Sequence, residues 1–554
     1  MLSNTKNKTY LVNTVVFCTV LVTILIKFAS IILADSVTTT VVVGNGAPAF
    51  SVDPADNDTL TNVGSTVPFT ATATDGNGDN YYLAICQGIG ITANNNAAPD
   101  CGATSFCVSS STATGVEASC SYTTLAGDSE TEAWYAYVCD HNASSLCSAY
   151  SQGTGTSGTP FEVNHAPSFS AINSDSPQDP GSNVTWTTGV GTSDSDTNDG
   201  ADTVMLIICK TTGLGTGTTD CDGGSSDRWC YSGLGSTAPS CSYSVPIPTA
   251  DAAYAAYAYV VDNHAFGPTG GNQGIGTSYV VNNVAPVISA VTVNSGVTIS
   301  LGEGVTTPVV LSATATDNNG VTDISTVTGD LYRSGIGNSA CDNGAEDDYN
   351  SCYAVESCSV GATTTSSGDY TCTVNMQYFA DPTDAGTSFP DDTWLDTIVA
   401  TDDDAAVGST EVTTGVELES TVALDVTASI DYGSMSVGQT MALTEGTTVE
   451  ATGNVGLDEE LSGADMLGVG DTSNTIAVGY QKYHLTESTA YGAGTTLTVS
   501  ATEVELNCRK TTVLGTGETK ATWWGLEIPN GTVADTYGGS NDVTAVKAEV
   551  ADWY

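Results

Sequence analysis

A short punctuation mark recurs at a fixed interval: Asn45-Gly46-Ala47-Pro48, Asn164-His165-Ala166-Pro167 and Asn283-Val284-Ala285-Pro286. Its prolines stand 119 residues apart in both steps. Matching text at a fixed period is the signature of a tandem array. The mark has a mechanical reading: proline fixes its own φ and pushes the residue before it towards extended geometry. The two later copies follow apolar, strand-like text, Phe161-Glu162-Val163 and Tyr279-Val280-Val281. Each mark therefore reads as a joint between the last strand of one unit and the first strand of the next.

The text between the joints repeats as well. In the first unit the strand-like run Val67 to Thr74 leads into Asp75-Gly76-Asn77-Gly78-Asp79, and Tyr82 to Cys86 resumes the strand. Further on come Ser119-Cys120-Ser121-Tyr122 and the aromatic run Trp134 to Asp140. The second unit replays this order with Asp194 to Gly200, Met205 to Cys209, Ser240-Cys241-Ser242-Tyr243 and Tyr257 to Asp262. A looser third copy has Ala313 to Gly320 and Asp392 to Asp402. Short β-rich runs separated by Gly, Asn and Asp turns, with no sustained helical period, predict all-β antiparallel sandwiches. The domains expected are residues 45–164, 165–283 and 284–417, followed by a unit of different text over 420–554.

The repeated text resembles bacterial immunoglobulin-like and cadherin-like surface repeats, over residues 45–417, in its Thr-Ala-Thr-Asp strand end, its Tyr-x-Tyr-Val-x-Asp strand and its joint. The last unit carries Asp431-Tyr432-Gly433, Thr452-Gly453-Asn454 and Trp524-Gly525-Leu526. It is similar to a C-terminal β-sandwich of prokaryotic envelope proteins, in which a Tyr-Gly strand precedes a Thr-Gly-Asn strand. That resemblance implies a place at the cell surface and brings no catalytic residues with it.

Composition and cysteines agree with export. Residues 1–34 combine Lys6 and Lys8 with an apolar run from Tyr10 to Ala34, which predicts a hydrophobic export helix, either a signal peptide or an uncleaved anchor. Fourteen of the 16 cysteines cluster in even numbers per unit. They are Cys86, Cys101, Cys107, Cys120, Cys139 and Cys147, then Cys209, Cys221, Cys230 and Cys241, then Cys341, Cys352, Cys358 and Cys372. Even counts in an exported chain predict disulfides, with the pairing left open by the spacing. Zinc is disfavoured, since no Cys-x-x-Cys occurs. Cys508 is left over and reads as a semi-buried free thiol or, failing that, an intermolecular link.

A formal charge of −52 repels nucleic acid and anionic lipid, so contact with a membrane is expected only through the N-terminal segment. It suits cations, and equally it suits plain solubility. The acidic turns are the candidate cation ligands. Asp75, Asn77 and Asp79 alternate, as do Asp194, Asp196 and Asn198; Asp317, Asn319 and Asp323 form a third version. Alternate carboxylate and amide oxygens converging in a turn are what calcium takes. Asp140, Asp262 and Asp402, each ending the aromatic strand, are placed to reach the same pole. Cadherin-like arrays carry calcium at their joints, but this joint lacks the extra aspartate of the strong calcium linkers. Asp, Asn and Gly also simply make good turns, and that reading stays open.

No hydrolase, P-loop or His-Glu-x-x-His signature occurs, and His141 and His264 stand without a nucleophile motif, so the chain is expected not to be an enzyme. The function expected is that of a stalk, envelope-layer subunit or adhesin, with surface proteins, glycans or further copies of itself as partners. The alternative is a carbohydrate-binding array or accessory region of a secreted hydrolase, with the aromatic strands at Trp134–Tyr137 and Tyr254–Tyr259 as sugar platforms.

Overall fold

The computed structural model describes residues 40–148, 152–153, 160–197, 202–215, 219–268, 272–341, 348–515 and 517–554. The export helix expected in 1–34 lies outside the described residues, as does Asn198. Contacts divide the chain into two compact units: residues up to His165 together with Asp196–Gly200, and Ala166–Ser195 together with Ala201–Tyr554.

In the first unit, Ala49–Ala55, Thr66–Thr74 and Glu117–Thr123 pair in that order, and a second sheet runs Gln152–Gly153, Tyr135–Asp140, Tyr81–Cys86, Ser105–Val108. All neighbours in these two sheets are antiparallel. Strict alternation along Thr66–Thr74 sends Val67, Phe69, Ala71 and Ala73 inward and the threonines outward. Phe69, Phe106, Trp134 and Phe161 meet edge-on at the centre, with ring centroids 5.1–5.9 Å apart.

The second unit repeats that order twice. Ile172–Ser174, Asn183–Thr188 and Ser240–Ser244 form one sheet, and Arg228–Tyr231, Val204–Cys209, Tyr257–Asp262 and Ile275–Gly276 the other. Next come Val287–Val293, Thr307–Thr316, Ser367–Met376 and Ser359–Thr363, with Cys352–Val355, Ile324–Arg333, Trp394–Asp402 and Val407–Glu411 opposite. In every repeat the first two strands of one sheet pair with a later one, to which the third repeat adds Ser359–Thr363, while the other named strands build the opposite sheet. That is the strand order of the immunoglobulin sandwich.

The disulfides differ from those of antibody domains, where the bridge spans the two central strands. Cys107–Cys120 and Cys230–Cys241 tie one sheet to the other off-centre, whereas Cys358–Cys372 joins the residue just before Ser359–Thr363 to Ser367–Met376, its neighbour in the same sheet. Cys86–Cys101, Cys209–Cys221 and Cys341–Cys352 fasten the loop that roofs the outer sheet face. Val204–Cys209 shows the consequence, because all six residues are buried. Val204, Leu206 and Ile208 face the main core, whereas Met205, Ile207 and Cys209 pack beneath the roof with Cys221 and Tyr259. The seventh bridge, Cys139–Cys147, closes a hairpin in the first unit alone.

The last sandwich has a five-stranded sheet, Leu424–Val426, Glu445–Ala451, Thr519–Leu526, Gln481–His484 and Thr495–Thr496, against Thr502–Cys508, Leu457–Gly463 and Asn541–Lys547. Its strand positions correct two expectations, since Tyr432-Gly433 and Thr452-Gly453-Asn454 lie outside strands. Asn454 is instead a buried clamp: its amide oxygen accepts from Thr421 N at 2.6 Å and its amide nitrogen donates to Glu419 O at 2.9 Å. Gly453 is required beside it, since a Cβ there would run into the Thr421 carbonyl. Lys510, fully buried, reaches the preceding repeat, donating to Asp381 Oδ1 at 2.6 Å and Phe379 O at 2.9 Å. Burial pulls its ammonium pKa down while Asp381 pulls it back up. Cys508 is fully rather than half buried, and burial pushes its thiol up to about 11, so it is an inert core residue.

Candidate cation sites at the joints

Each acidic turn does two jobs with alternate side chains. Its middle residue faces the joint. Asn77 Oδ1 accepts from Gly46 N at 2.8 Å, Asp196 Oδ2 from His165 N at 2.6 Å, and Asn319 Oδ1 from Val284 N at 2.8 Å. The three donors are the residue after the joint asparagine in each copy. Asn77, Asp196 and Asn319 are therefore latches, a role the sequence did not assign to them.

Neighbouring acids converge with the aspartate that ends the aromatic strand. Asp75, Asp79 and Asp140 offer carboxylate oxygens within 4.8 Å of one another, and so do Asp194, Asp202 and Asp262, and Asp317, Asp323 and Asp402. The strand-end aspartate is held in place by its own hairpin. Asp140 Oδ1 accepts from Leu146 N at 2.9 Å, Asp262 Oδ1 from His264 N and Phe266 N at 2.8 and 2.9 Å, and Asp402 Oδ1 from Ala406 N at 2.7 Å. Its second oxygen is used by the joint in two copies: Asn45 Nδ2 donates to Asp140 Oδ2 at 2.6 Å and Asn283 Nδ2 to Asp402 Oδ2 at 3.0 Å. The turn's first aspartate spends one oxygen on its own backbone, with Asp75 Oδ1 accepting from Asn77 N and Asp317 Oδ1 from Asn319 N, both at 2.7 Å.

The remaining oxygens carry the chemistry. Asp75 Oδ2, Asp202 Oδ2 and Asp317 Oδ2 are buried with no hydrogen-bond partner, and so are the amide oxygens of Asn45 and Asn283. An ionised oxygen left buried without a partner is costly, and three carboxylates this close repel by a few kcal/mol at a protein-like dielectric. Protons or a cation must compensate. The third site shows the strain on its titration. Burial and the carboxylates of Asp403 and Asp317 push Asp323 up to about 7, and burial also raises Asp317. In the second site the His264 ring comes within 3.4 Å of Asp202 Oδ1. Apart from that ring nitrogen, the groups gathered at the three sites are carboxylate and amide oxygens, the donor type that a hard divalent cation such as calcium takes.

Three contributors escaped the sequence reading. Asp202 joins Asp194 and Asp262 in the second copy, beyond the turn residues read from the sequence. Asp251, from the loop before the second aromatic strand, adds its charge to Asp323 and shares a hydrogen bond with Asp404. It is an acid supplied across the joint, where the joint text itself has none. Glu130, from the corresponding loop in the first repeat, accepts from Thr197 N and Oγ1 at 3.0 and 2.8 Å. The signal was present in both loops, as acids just before the aromatic strand.

Three rings of the aromatic strands, first offered as sugar platforms, pack in cores, while Tyr135, Tyr254 and Tyr257 are half-buried. Trp134 is fully buried in the first core, and Tyr137 and Tyr259 are buried as well. His141 Nδ1 lies 3.0 Å from Ser111 Oγ, and its ring packs against Tyr82. Among the described residues no helix is long and apolar enough to cross a membrane.

No protein-family model matches the chain, nor does any curated protein. Among solved structures it is similar to the full ectodomain of mouse nectin-like molecule 4, at 12% identity over 66% of this chain and 98% of that one, with a TM-score of 0.27. It is also similar to a D1–D4 ectodomain fragment of ICAM-5, at 9% identity over 90% and 99%, TM-score 0.25. A marsupial T cell receptor aligns at 10% identity over 65% and 99%, TM-score 0.25. At such scores the immunoglobulin-like assignment rests on the strand order described above.

Proposed function

We propose that this chain is a non-catalytic extracellular structural or adhesive protein whose immunoglobulin-like repeats are stiffened by calcium bound beside each joint. The observation that carries the reading is the threefold recurrence of a buried aspartate triad, with orphaned oxygens, next to the latch that holds the joint. The seven disulfides among the described residues support an oxidising, extracellular setting. The array gives reach, and its partners are other surface molecules or further copies of itself in a surface layer. A cation in each triad ties the turn to the strand end and, in the third repeat, draws in the acid loop of the repeat before it. Differential scanning calorimetry with calcium and with chelator tests this. At tenfold over Kd each site adds about 1.4 kcal/mol, so the repeats melt several degrees higher with calcium. An unchanged melting temperature, with no heat of binding at extracellular calcium levels, overturns the reading.

A further inference from the structure

The last sandwich holds a fourth group of acids that shares no residue with the repeats. Asp458, Glu505 and Glu549 offer carboxylate oxygens within 4.8 Å of one another. Asp458 is 1% exposed, and its Oδ2 has no hydrogen-bond partner, whereas Oδ1 accepts from Asn507 N at 2.7 Å. Glu505 and Glu549 are exposed. The backbone explains how they meet. Leu457–Gly463 pairs with Thr502–Cys508, but Leu457 faces Cys508 while Glu459 faces Val504, so Asp458 alone stands opposite residues 505–507. Such a bulge re-aims side chains, and Asn507 takes the left-handed φ of 51° that it requires. On the other side, Leu457 pairs with Lys547, the last residue of Asn541–Lys547, and Glu549 follows at once.

We propose that Asp458, Glu505 and Glu549 bind a calcium-type divalent cation that fastens the chain's last turn to the bulged strand. The donor set is all carboxylate oxygen, and a cation bridges the three where bare charges repel. The fastened segment is a short one. Ala548 N donates to Gly456 O at 3.0 Å, Trp553 Nε1 donates to Ala548 O at 2.9 Å, and Trp553 packs with Val455 and Ala548. Gly456 lies so close to Trp553 that a Cβ would sit 2.9 Å from its Cα. Two of three ligands are exposed, so the affinity expected is that of extracellular modules, about 10⁻⁴–10⁻³ M.

The test titrates calcium chloride into the full exported chain and follows both calorimetric stoichiometry and amide exchange over residues 545–553. Wild type should take up one ion more than E505Q/E549Q, and saturating calcium should slow exchange of that segment about tenfold in wild type and not in the variant. Both glutamates are exposed, so the variant is expected to fold. Equal stoichiometry in the two proteins, or exchange indifferent to calcium in wild type, overturns the proposal. A D140N/D262N/D402N variant separates it from the repeat sites. If that variant loses no heat while E505Q/E549Q does, the repeat reading fails and the fourth site stands.

Discussion

The three repeats and the last sandwich solve one problem by different means. Each repeat is cross-linked covalently: a bridge pins a roof over the outer face in all three, and a second joins the two sheets in the first and second repeats or neighbouring strands in the third. Among the described residues the last sandwich has no disulfide, and its one cysteine is a buried thiol. It relies on buried polar groups instead: Asn454 clamps its entry, and Lys510 crosses to Asp381 of the third repeat, where Arg333 and Tyr554 also gather. The difference teaches that each repeat fastens its own core covalently, whereas the last sandwich sends a buried side chain into the repeat before it.

The largest test of that contrast is Lys510→Ala. Removing Lys510 takes the buried ammonium from Asp381 and leaves only Arg333 and Tyr554 beside it, at a cost of about 3 kcal/mol, the lower end for a broken buried pair. Urea unfolding followed by domain-resolved exchange should show the last sandwich and the third repeat weakened together, with the first repeat unchanged. Loss confined to the last sandwich would break the comparison. Next comes C107S/C120S, which opens the inter-sheet bridge of the first repeat. The expected loss is about 2–4 kcal/mol in that repeat alone, read as a lowered calorimetric transition, and the last sandwich should melt as before.

The smallest effect per unit of pH concerns Asp396, fully buried in the third repeat with neither carboxylate oxygen hydrogen-bonded. Burial, then the charge of Asp330, pushes it up to about 8. A raised carboxyl pKa contributes stability below the unfolded value near 4, and that stability is lost as pH rises towards 8. D396N should remove this slope, gaining about 1.4 kcal/mol on wild type between pH 6 and pH 7 in urea titrations. Parallel pH profiles for the two proteins would show that Asp396 finds a partner in solution.

The tandem architecture was legible because the text itself repeats, and alternation along Thr66–Thr74 gives the inward face directly. The acid sites were half legible. A turn read at i, i+2, i+4 identifies Asp75 and Asp79 but cannot say that Asn77 also holds Gly46 N. Asp202 lies beyond the turn residues read from the sequence, and Asp251 arrives from another repeat, a long-range placement that local spacing does not encode. Trp134 read first as core and second as platform, and the facing sheet decides for core. Asp458 was invisible for a related reason, since its partners meet only through a bulge and a chain reversal.

The latches carry a last consequence. In each copy the donor just after the joint asparagine and its acceptor belong to the same stretch of repeated sequence: Gly46 with Asn77, His165 with Asp196, Val284 with Asn319. A copy excised from just before the asparagine therefore travels with its own fastening. Gene duplication or deletion in whole copies would lengthen or shorten this molecule without inventing a new seam.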